Sequence, residues 1–568
     1  MKITGAEGLI KSLICEGVDT VFGYPGGQII AVYDKLYDYQ KEINHILVRH
    51  EQGAIHAAQG YARSSGKTGV VIVTSGPGAA NVVTGLGDAL MDSTPLVVIT
   101  GQVASAFLGT DAFQETDVVA ITQQLTKWSF QIRRPEDIPG AVARAFYIAS
   151  SGRPGPVVLD IAKDAQVGLA EWTHEYCNYI RSYNPHPEIP LEEITEIAAM
   201  LNEAERPMIL AGHGITIANA EQTLMCLAEK ANIPVATTLL GRANLPADHP
   251  LHKGMLGMHG NIGPNIATNK ADVILALGMR FDDRITGDVK RYARQAKIIH
   301  VDIDPSELNK IVPATKAVHG DAAQLLTALL PLMKHKPRQE WIDLFNQCDI
   351  VEQSKVMAAE LHPQKDEMNM GEVISMVSEA APENTICVTD VGQNQMFAAR
   401  YFRCRSNRSF ISSGGLGTMG FGLPAAIGAR IGAPDREVVL FVGDGGIQMT
   451  IQELGTIMSY NVNIKVVILN NSFLGNVRQW QELFFNSRVS QTEMLNPDFI
   501  ALARAYGIAG ENVTSRHDLR GAVDRMFAHP GAYLLNVCVD AKDMIFPMIP
   551  AGGVVDQIML DKETRFTI

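Results

Sequence analysis

Cysteine is scarce in this 568-residue chain: Cys15, Cys177, Cys226, Cys348, Cys387, Cys404 and Cys538 are scattered, odd in number and never spaced as Cys-x-x-Cys. That excludes a disulfide framework and a thiolate zinc site, and it reads as reduced thiols in a cytoplasmic-type compartment. Long apolar runs are also missing. No window approaches the roughly 18 uncharged apolar residues of a spanning helix, so no membrane partner is expected. The opening MKITGAEGLIKSLICEG carries acids in its first turns and lacks an apolar core before a small-residue cleavage site, so no secretory signal is expected there. There is no basic stripe either. Net charge is −13 with the signs interspersed, which argues against nucleic acid as a partner.

Several tempting motifs are incomplete. His249 and His252 in DHPLH are too sparse for a metal site. SGKTG (65–69) lacks a P-loop's first glycine, which lies one place off at Gly60, and the segment precedes a strand instead of following one. Gly212-x-Gly214 ends a strand-like run, but Ile217 stands where the third glycine of a nicotinamide fingerprint belongs, and no acid ends the next strand.

What is present is a regular alternation. Val- and Ile-rich runs such as GVVIVTS, TPLVVITG, RPMILAG, ADVILALG, EVVLFVGD and IKVVILNN are separated by amphipathic stretches. Strands buried on both faces look like this, and helical spacers imply parallel, doubly wound sheets. At about 150 residues per domain the length suggests three or four domains. Composition shifts near 182–193 and 362–371 place linkers there, giving an α/β protein of three doubly wound parallel-sheet domains over 1–185, 186–360 and 361–568, with helices on both faces. The first and third blocks share a strand, Gly-rich turn, helix, strand pattern. Only the third has an acid at its turn, which suggests two related domains with divided labour.

That acid is Asp444, in VVLFVGDGG. The next strand, KVVILNN, ends in Asn470 and Asn471, and Asn471 follows Asp444 by 27 positions with one helix between. Neighbouring parallel strands joined this way present both polar tips at the carboxyl edge of the sheet, where open α/β sheets bind ligands. One carboxylate, one amide oxygen and a nearby carbonyl make a poor calcium cage. They suit Mg²⁺, which shares its octahedron with water and phosphates. The glycines would let backbone N–H groups approach those phosphates.

GDG with NN on the following strand resembles the thiamin diphosphate motif. The likeness extends along FGYPGG, RHEQGA, TSGPGA, AFQETD, GRPGPVVLDIAKD, MRFDDRITG, SGGLGTMGFGLPAAIGA, LNNSFLGNVRQWQ and NPDF. On these motifs the chain resembles the catalytic large subunits of the acetohydroxyacid synthase (acetolactate synthase) family. The resemblance implies Mg²⁺ held by Asp444, Asn471 and the backbone carbonyl of Phe473. It implies thiamin diphosphate held by Tyr24, Pro25, Gly26, Pro77, Asn81, Gly392, Gln393, Asn394, Gly417, Gly443, Gly445 and Gly446. Glu51, in RHEQGA, would stand beside the pyrimidine nitrogen N1′. That role calls for a carboxyl group in a fairly apolar site able to exchange a proton near neutrality. Met419 would fold the cofactor into its reactive shape, a place suited to a bulky thioether. Gly27 would offer an N–H near the reacting carbonyl, and Gln114, Phe113 and Lys163 would line the pocket.

The resemblance further implies FAD, in a structural role without net redox, at Arg153, Gly212, Gly214, Thr237, Leu239, Gly257, His259, Arg280, Asp304 and Asp321. Arg284 would pair with the carboxylate of a second 2-oxo acid, a bidentate task for which Arg is suited. Trp480 would favour 2-oxobutyrate over pyruvate, a preference worth about 1–3 kcal/mol per methylene. Asn476 stands where the family usually has a larger apolar residue, and Gln59 where it commonly has Glu.

The expected activity is decarboxylation of pyruvate and transfer of its two-carbon unit to a second 2-oxo acid, giving 2-acetolactate or 2-aceto-2-hydroxybutyrate for branched-chain amino acid synthesis. Expected partners are 2-oxo acids, a second copy completing each site in a homodimer or tetramer, and a small regulatory subunit. The alternative enzyme reading is a related thiamin diphosphate enzyme such as pyruvate oxidase or glyoxylate carboligase, which resemble this fold and its cofactors. A non-catalytic binding homologue is disfavoured because the ionisable positions survive together.

Overall fold

Residues 2–567 are described here in a computed structural model of the chain. Three six-stranded sheets, every internal pairing parallel, account for most of it. The first is built from β1 (Thr20–Gly23), β2 (Asn44–Leu47), β3 (Gly69–Val73), β4 (Leu96–Gln102), β5 (Trp128–Ile132) and β6 (Pro156–Ala162). Its order is β2-β1-β3-β4-β6-β5. The second holds β7 (Pro207–Ala211), β8 (Val235–Thr237), β9 (His252–Met255), β10 (Val273–Leu277), β11 (Lys297–Asp302) and β12 (Lys316–His319), in the order β9-β8-β7-β10-β11-β12. The third holds β13 (Ile386–Thr389), β14 (Phe410–Ile411), β15 (Val438–Gly443), β16 (Lys465–Asn470), β17 (Ala509–Val513) and β18 (Tyr533–Cys538), in the order β14-β13-β15-β16-β18-β17.

The first and third sheets therefore share one strand order, while the middle sheet runs outward in both directions from β7 and β10, which open a crevice where the order reverses. The unbroken apolar runs follow from position in the sheet. Strands β4 and β6 are buried at every residue, as strands covered by helices on both faces must be.

Helix α1 (Glu51–Ser65) of the first domain lies along helix α2 (Gly422–Gly432) of the third. Small residues let the backbones nearly touch: a Cβ on Gly60 would sit 1.9 Å from the Ala425 carbonyl oxygen, and one on Gly428 1.7 Å from that of Ala57. Polar bonds reinforce the contact beside α1. Tyr460 Oη takes the Leu47 N–H at 2.7 Å, and the buried Glu453 carboxylate takes the Arg49 N–H at 3.0 Å.

The last stretch of the expected 361–568 block packs elsewhere. Ile549, Val555, Ile558 and Leu560 lie in the apolar cluster of Met208, Leu210, Ile274 and Phe281, and the Ile549 N–H bonds to the Met258 carbonyl at 2.8 Å. These apolar side chains find their burial on the middle domain, whereas Val539 and Ile545, nearer β18, still pack with Val467, Leu535 and Val537 of the third.

The glycine contact predicts opposite effects from one chemical change. Gly428→Ala forces a methyl into a carbonyl and should cost about 1–3 kcal/mol. Gly140→Ala, in the helix Ile138–Ser150 with open space around it, should stabilise by about 0.5–1 kcal/mol. Scanning calorimetry of both variants checks the pair; equal melting temperatures would contradict the packing account.

Candidate active site

The tips of β13, β15 and β16 enclose a small cleft lined by Gly392, Gln393, Asn394, Met419, Asp444 and Asn471, with Gly443, Gly445, Gly446, Phe473 and Asn476 around them. Asp444 is 1% exposed. Its Oδ2 accepts from Asn496 Nδ2 at 2.6 Å, and that amide also bonds Asn470 Oδ1 at 3.0 Å. Burial lifts the Asp444 carboxyl above its ordinary value against the opposing pull of Asn496 and nearby backbone N–H groups. A divalent cation would reverse that penalty. Asn471 turns its Oδ1 to the Phe473 N–H at 3.1 Å, which orders the backbone carrying the Phe473 carbonyl. Among the described residues no three His, Cys, Asp or Glu side chains gather as a metal cage. The donor set here is carboxylate plus amide, which fits a Mg²⁺ that completes its shell with phosphate and water.

The glycines of the cleft are not equivalent. A Cβ on Gly443 would find only Asn394 Oδ1, 3.6 Å away, so this backbone is open to a ligand. On Gly446 it would strike Asp390 Oδ1 at 2.4 Å, so that glycine serves packing. Asp390, absent from the sequence expectations, is fully buried and pushed up to about 6 by burial. It accepts the N–H groups of Gly420 at 3.1 Å and Gly422 at 2.8 Å, on either side of the turn that follows Met419.

First-domain candidates collect at the carboxyl edge of their own sheet. Tyr24, Pro25, Gly26 and Gly27 follow β1, Glu51 opens α1 beyond β2, Pro77 and Asn81 follow β3, and Lys163 follows β6. Phe113 and Gln114 lie on the connection after β4, Phe113 at 84% exposure and Gln114 at φ +62°. Glu51 is half-buried and its Oε2 accepts from Asn81 Nδ2 at 2.9 Å. Gly27 faces open space, whereas a Cβ on Gly26 would meet Thr74 at 2.6 Å. None of these residues lines the Asp444 cleft of the same chain.

A larger cavity of about 510 Å³ opens at the crevice of the middle sheet. Arg153, Gly214, Leu239, Gly257, His259, Arg280 and Asp321 line it, as do Gly417, Arg284 and Trp480. Gly212, Thr237 and Asp304 are each one residue from a lining position. Arg153 reaches across from the first domain to Asp304 at 3.2 Å and Glu307 at 2.8 Å. Burial drives His259 down to about 3 and His213 to about 4, so both rings are neutral. His259 Nε2 and His213 Nδ1 are buried without partners among the described residues, as are Trp480 Nε1 and Asn476 Oδ1. Four orphaned polar atoms around a cavity of this size fit a large polar aromatic ligand such as a flavin dinucleotide. The Arg284 guanidinium stands 5.9 Å over the Trp480 ring.

Sequence reasoning missed Asn496, Asp390, Glu453, Asp92 and Asp302. Asn496 lies in the quoted NPDF motif and Asp390 opens DVGQNQ, so a local signal existed for these two.

Family models cover much of the chain. Those described as "Thiamine pyrophosphate enzyme" match residues 3–121 (N-terminal TPP binding domain), 194–329 (central domain) and 390–537 (C-terminal TPP binding domain). The chain is 43% identical to the acetolactate synthase isozyme 2 large subunit of Escherichia coli, covering 99% of this chain and 100% of that protein. It is 44% identical to the acetolactate synthase large subunit of Parasynechococcus marenigrum over 97% of this chain and 90% of that one. For the large subunit from Lactococcus lactis the identity is 41%, over 98% and 96%.

Asp302, at the tip of β11 on the cavity wall, is raised by burial to about 7. Its folded value exceeds the ordinary one of about 3.9, so its stabilising contribution is complete below that ordinary value and is lost as pH climbs through about 7. Asp302→Asn keeps an acceptor for the Asp304 N–H and removes the titration. Between about pH 5 and about pH 8 the parent should lose more melting temperature than the variant. Equal losses would contradict the assignment.

Proposed function

The chain belongs to the acetolactate synthase large-subunit family of thiamine pyrophosphate enzymes, and on that premise we propose that it is itself an acetolactate synthase. It would decarboxylate pyruvate and transfer the two-carbon unit to a second pyruvate or to 2-oxobutyrate, in the cytoplasm, as a step of valine, leucine and isoleucine synthesis. The observation that carries this reading is the pair Asp444 and Asn471, on the tips of adjacent parallel strands over one cleft.

In this reading Asp444, Asn471 and the Phe473 carbonyl would hold Mg²⁺, and Gln393 and Asn394 would contact the diphosphate beside the open backbone of Gly443. When bound, thiamin diphosphate supplies an electron sink for decarboxylation. The protein orients and protects. Glu51 holds a proton at the pyrimidine N1′, steadied by Asn81. Met419 presses its thioether into the cleft next to Gly445. Gln114, Phe113, Lys163 and Gly27 form a wall from the first domain. Arg284 takes the carboxylate of the second 2-oxo acid, with its guanidinium already beside Trp480. FAD would occupy the middle cavity, bonding His259 and Arg280, and would hold the domains in register.

Glu51 does not line the cleft of its own chain, and the exposed Phe113 edge has the character of a surface awaiting cover. A second copy presenting that edge to the cleft completes the site, so a homodimer or a tetramer is the active form. A small regulatory subunit is a further partner, given that the relatives are named as large subunits. The blocks 1–185, 186–360 and 361–568 serve as pyrimidine, flavin and diphosphate domains, with the extreme C-terminal stretch lying on the middle one.

Glu51→Gln keeps the shape and removes the exchangeable proton. Acetolactate formation should fall about 10²–10⁴-fold while thiamin diphosphate and Mg²⁺ still bind, as titration calorimetry can show. Near-normal turnover would contradict the role of Glu51.

A further inference from the structure

Between β14 and α2 the chain runs as a strap, SSGGLGTMG (412–420), that borders both cavities. Ser413 to Gly417 line the larger one, and Met419 lines the Asp444 cleft. With glycine at 414, 415 and 417 the strap has little conformational preference of its own. Its position must be imposed from outside: Gln395 and Asp390 of the third domain hold its two ends, and the first domain holds the stretch between them.

Asp88, on the helix Val83–Met91, and Asp92, at the end of that helix, are four residues apart and therefore on one face. They are 0% and 2% exposed. Asp88 Oδ1 accepts from the Ser413 hydroxyl and, at 3.0 Å, from the Thr418 hydroxyl. Ser413 Oγ in turn accepts the Thr418 N–H at 2.8 Å, which closes the strap on itself. Asp92 accepts the N–H of Gly414 at 2.8 Å and of Gly415 at 2.7 Å. A Cβ on Gly415 would sit 2.9 Å from that carboxylate and 3.1 Å from Arg280. Arg63, from α1, balances Asp92 at 3.0 Å and donates a second bond to the Ser412 carbonyl.

Two buried carboxylates served by one guanidinium are a costly way to hold a fold together, because each must be taken out of water. Apart from Arg63, the donors to this pair come from the strap. Thr418 immediately precedes Met419, so its bond to Asp88 fixes the backbone from which the thioether projects.

We propose that Asp88 and Asp92 are positioning residues for Met419, by which the first domain of a chain shapes the cofactor cleft in that chain's own third domain. The assignment rests on Met419 acting on bound thiamin diphosphate, as in the functional reading above.

Replacing Asp92 would strand the Arg63 charge and confound the result with misfolding, so the test is made from the strap side. Thr418→Val keeps the shape and loses the hydroxyl; Thr418→Ser keeps the hydroxyl. Turnover of pyruvate by Thr418→Val should fall about ten- to a hundredfold, with thiamin diphosphate affinity held within about threefold, while Thr418→Ser stays within about twofold of the parent. The near-ultraviolet circular dichroism of the bound cofactor, at saturating Mg²⁺, should change in the valine variant and not in the serine one. The proposal is overturned if the valine variant turns over normally, if serine fails as far as valine, or if turnover, affinity and melting temperature all fall together. A parent protein without thiamin-dependent turnover would refute the functional reading instead, and the spectra of the two variants would still decide this one.

Discussion

The backbone contact between α1 and α2 is the constraint on which the arrangement of the molecule depends. Ala57 and Ala425 carbonyls occupy the space where side chains at 428 and 60 would stand, so only glycine allows the first and third domains of one chain to meet this closely. The contact uses the helix that begins at Glu51, and Glu453 and Tyr460 brace the strand leading into it. With that helix committed to joining domains, the carboxyl edge of the first sheet and the cleft of the third stay apart within a single chain, and in the proposed function they are two half-sites.

The two half-sites differ in what they can do alone. The third-domain half has a buried carboxylate raised by desolvation, an amide, a backbone carbonyl and an open glycine backbone, a donor set that would suit a metal and a phosphate. The first-domain half has a half-buried carboxyl group steadied by Asn81 and a wall of exposed side chains. In the proposed function neither half alone supplies both proton transfer and charge stabilisation. The middle sheet contributes a third element, a cavity at the reversal of its strand order whose walls carry buried polar atoms without partners among the described residues. The strap of residues 412–420 passes from that cavity to the cleft, so the three domains converge on one short glycine-rich segment.

Much of this was legible in the sequence, for reasons that can be named. Strands such as β4, β6 and β15 are buried on both faces, so their apolar runs are continuous and unmistakable. The meeting of Asp444 and Asn471 in one cleft was legible because a single helix separates two such runs, which places their ends side by side. Asp88 and Asp92 were not, since an acid on a helix is normally a solvated one. Their meaning comes from strap residues more than 300 positions away, a separation of 325 for Asp88 and Ser413. Glu453 and the packing of the C-terminal stretch on the middle domain depend in the same way on contacts that no local pattern encodes.

The central claim, that each site is assembled from two copies of the chain, is tested most directly by co-expressing Glu51→Gln with Asp444→Ala. Each variant alone should be nearly inactive. In mixed dimers one site combines the intact Glu51 of one chain with the intact Asp444 of the other, so random assembly should restore about a quarter of parental activity. If Glu51 served the cleft of its own chain, every site would carry one lesion and the mixture would remain as inactive as its parts.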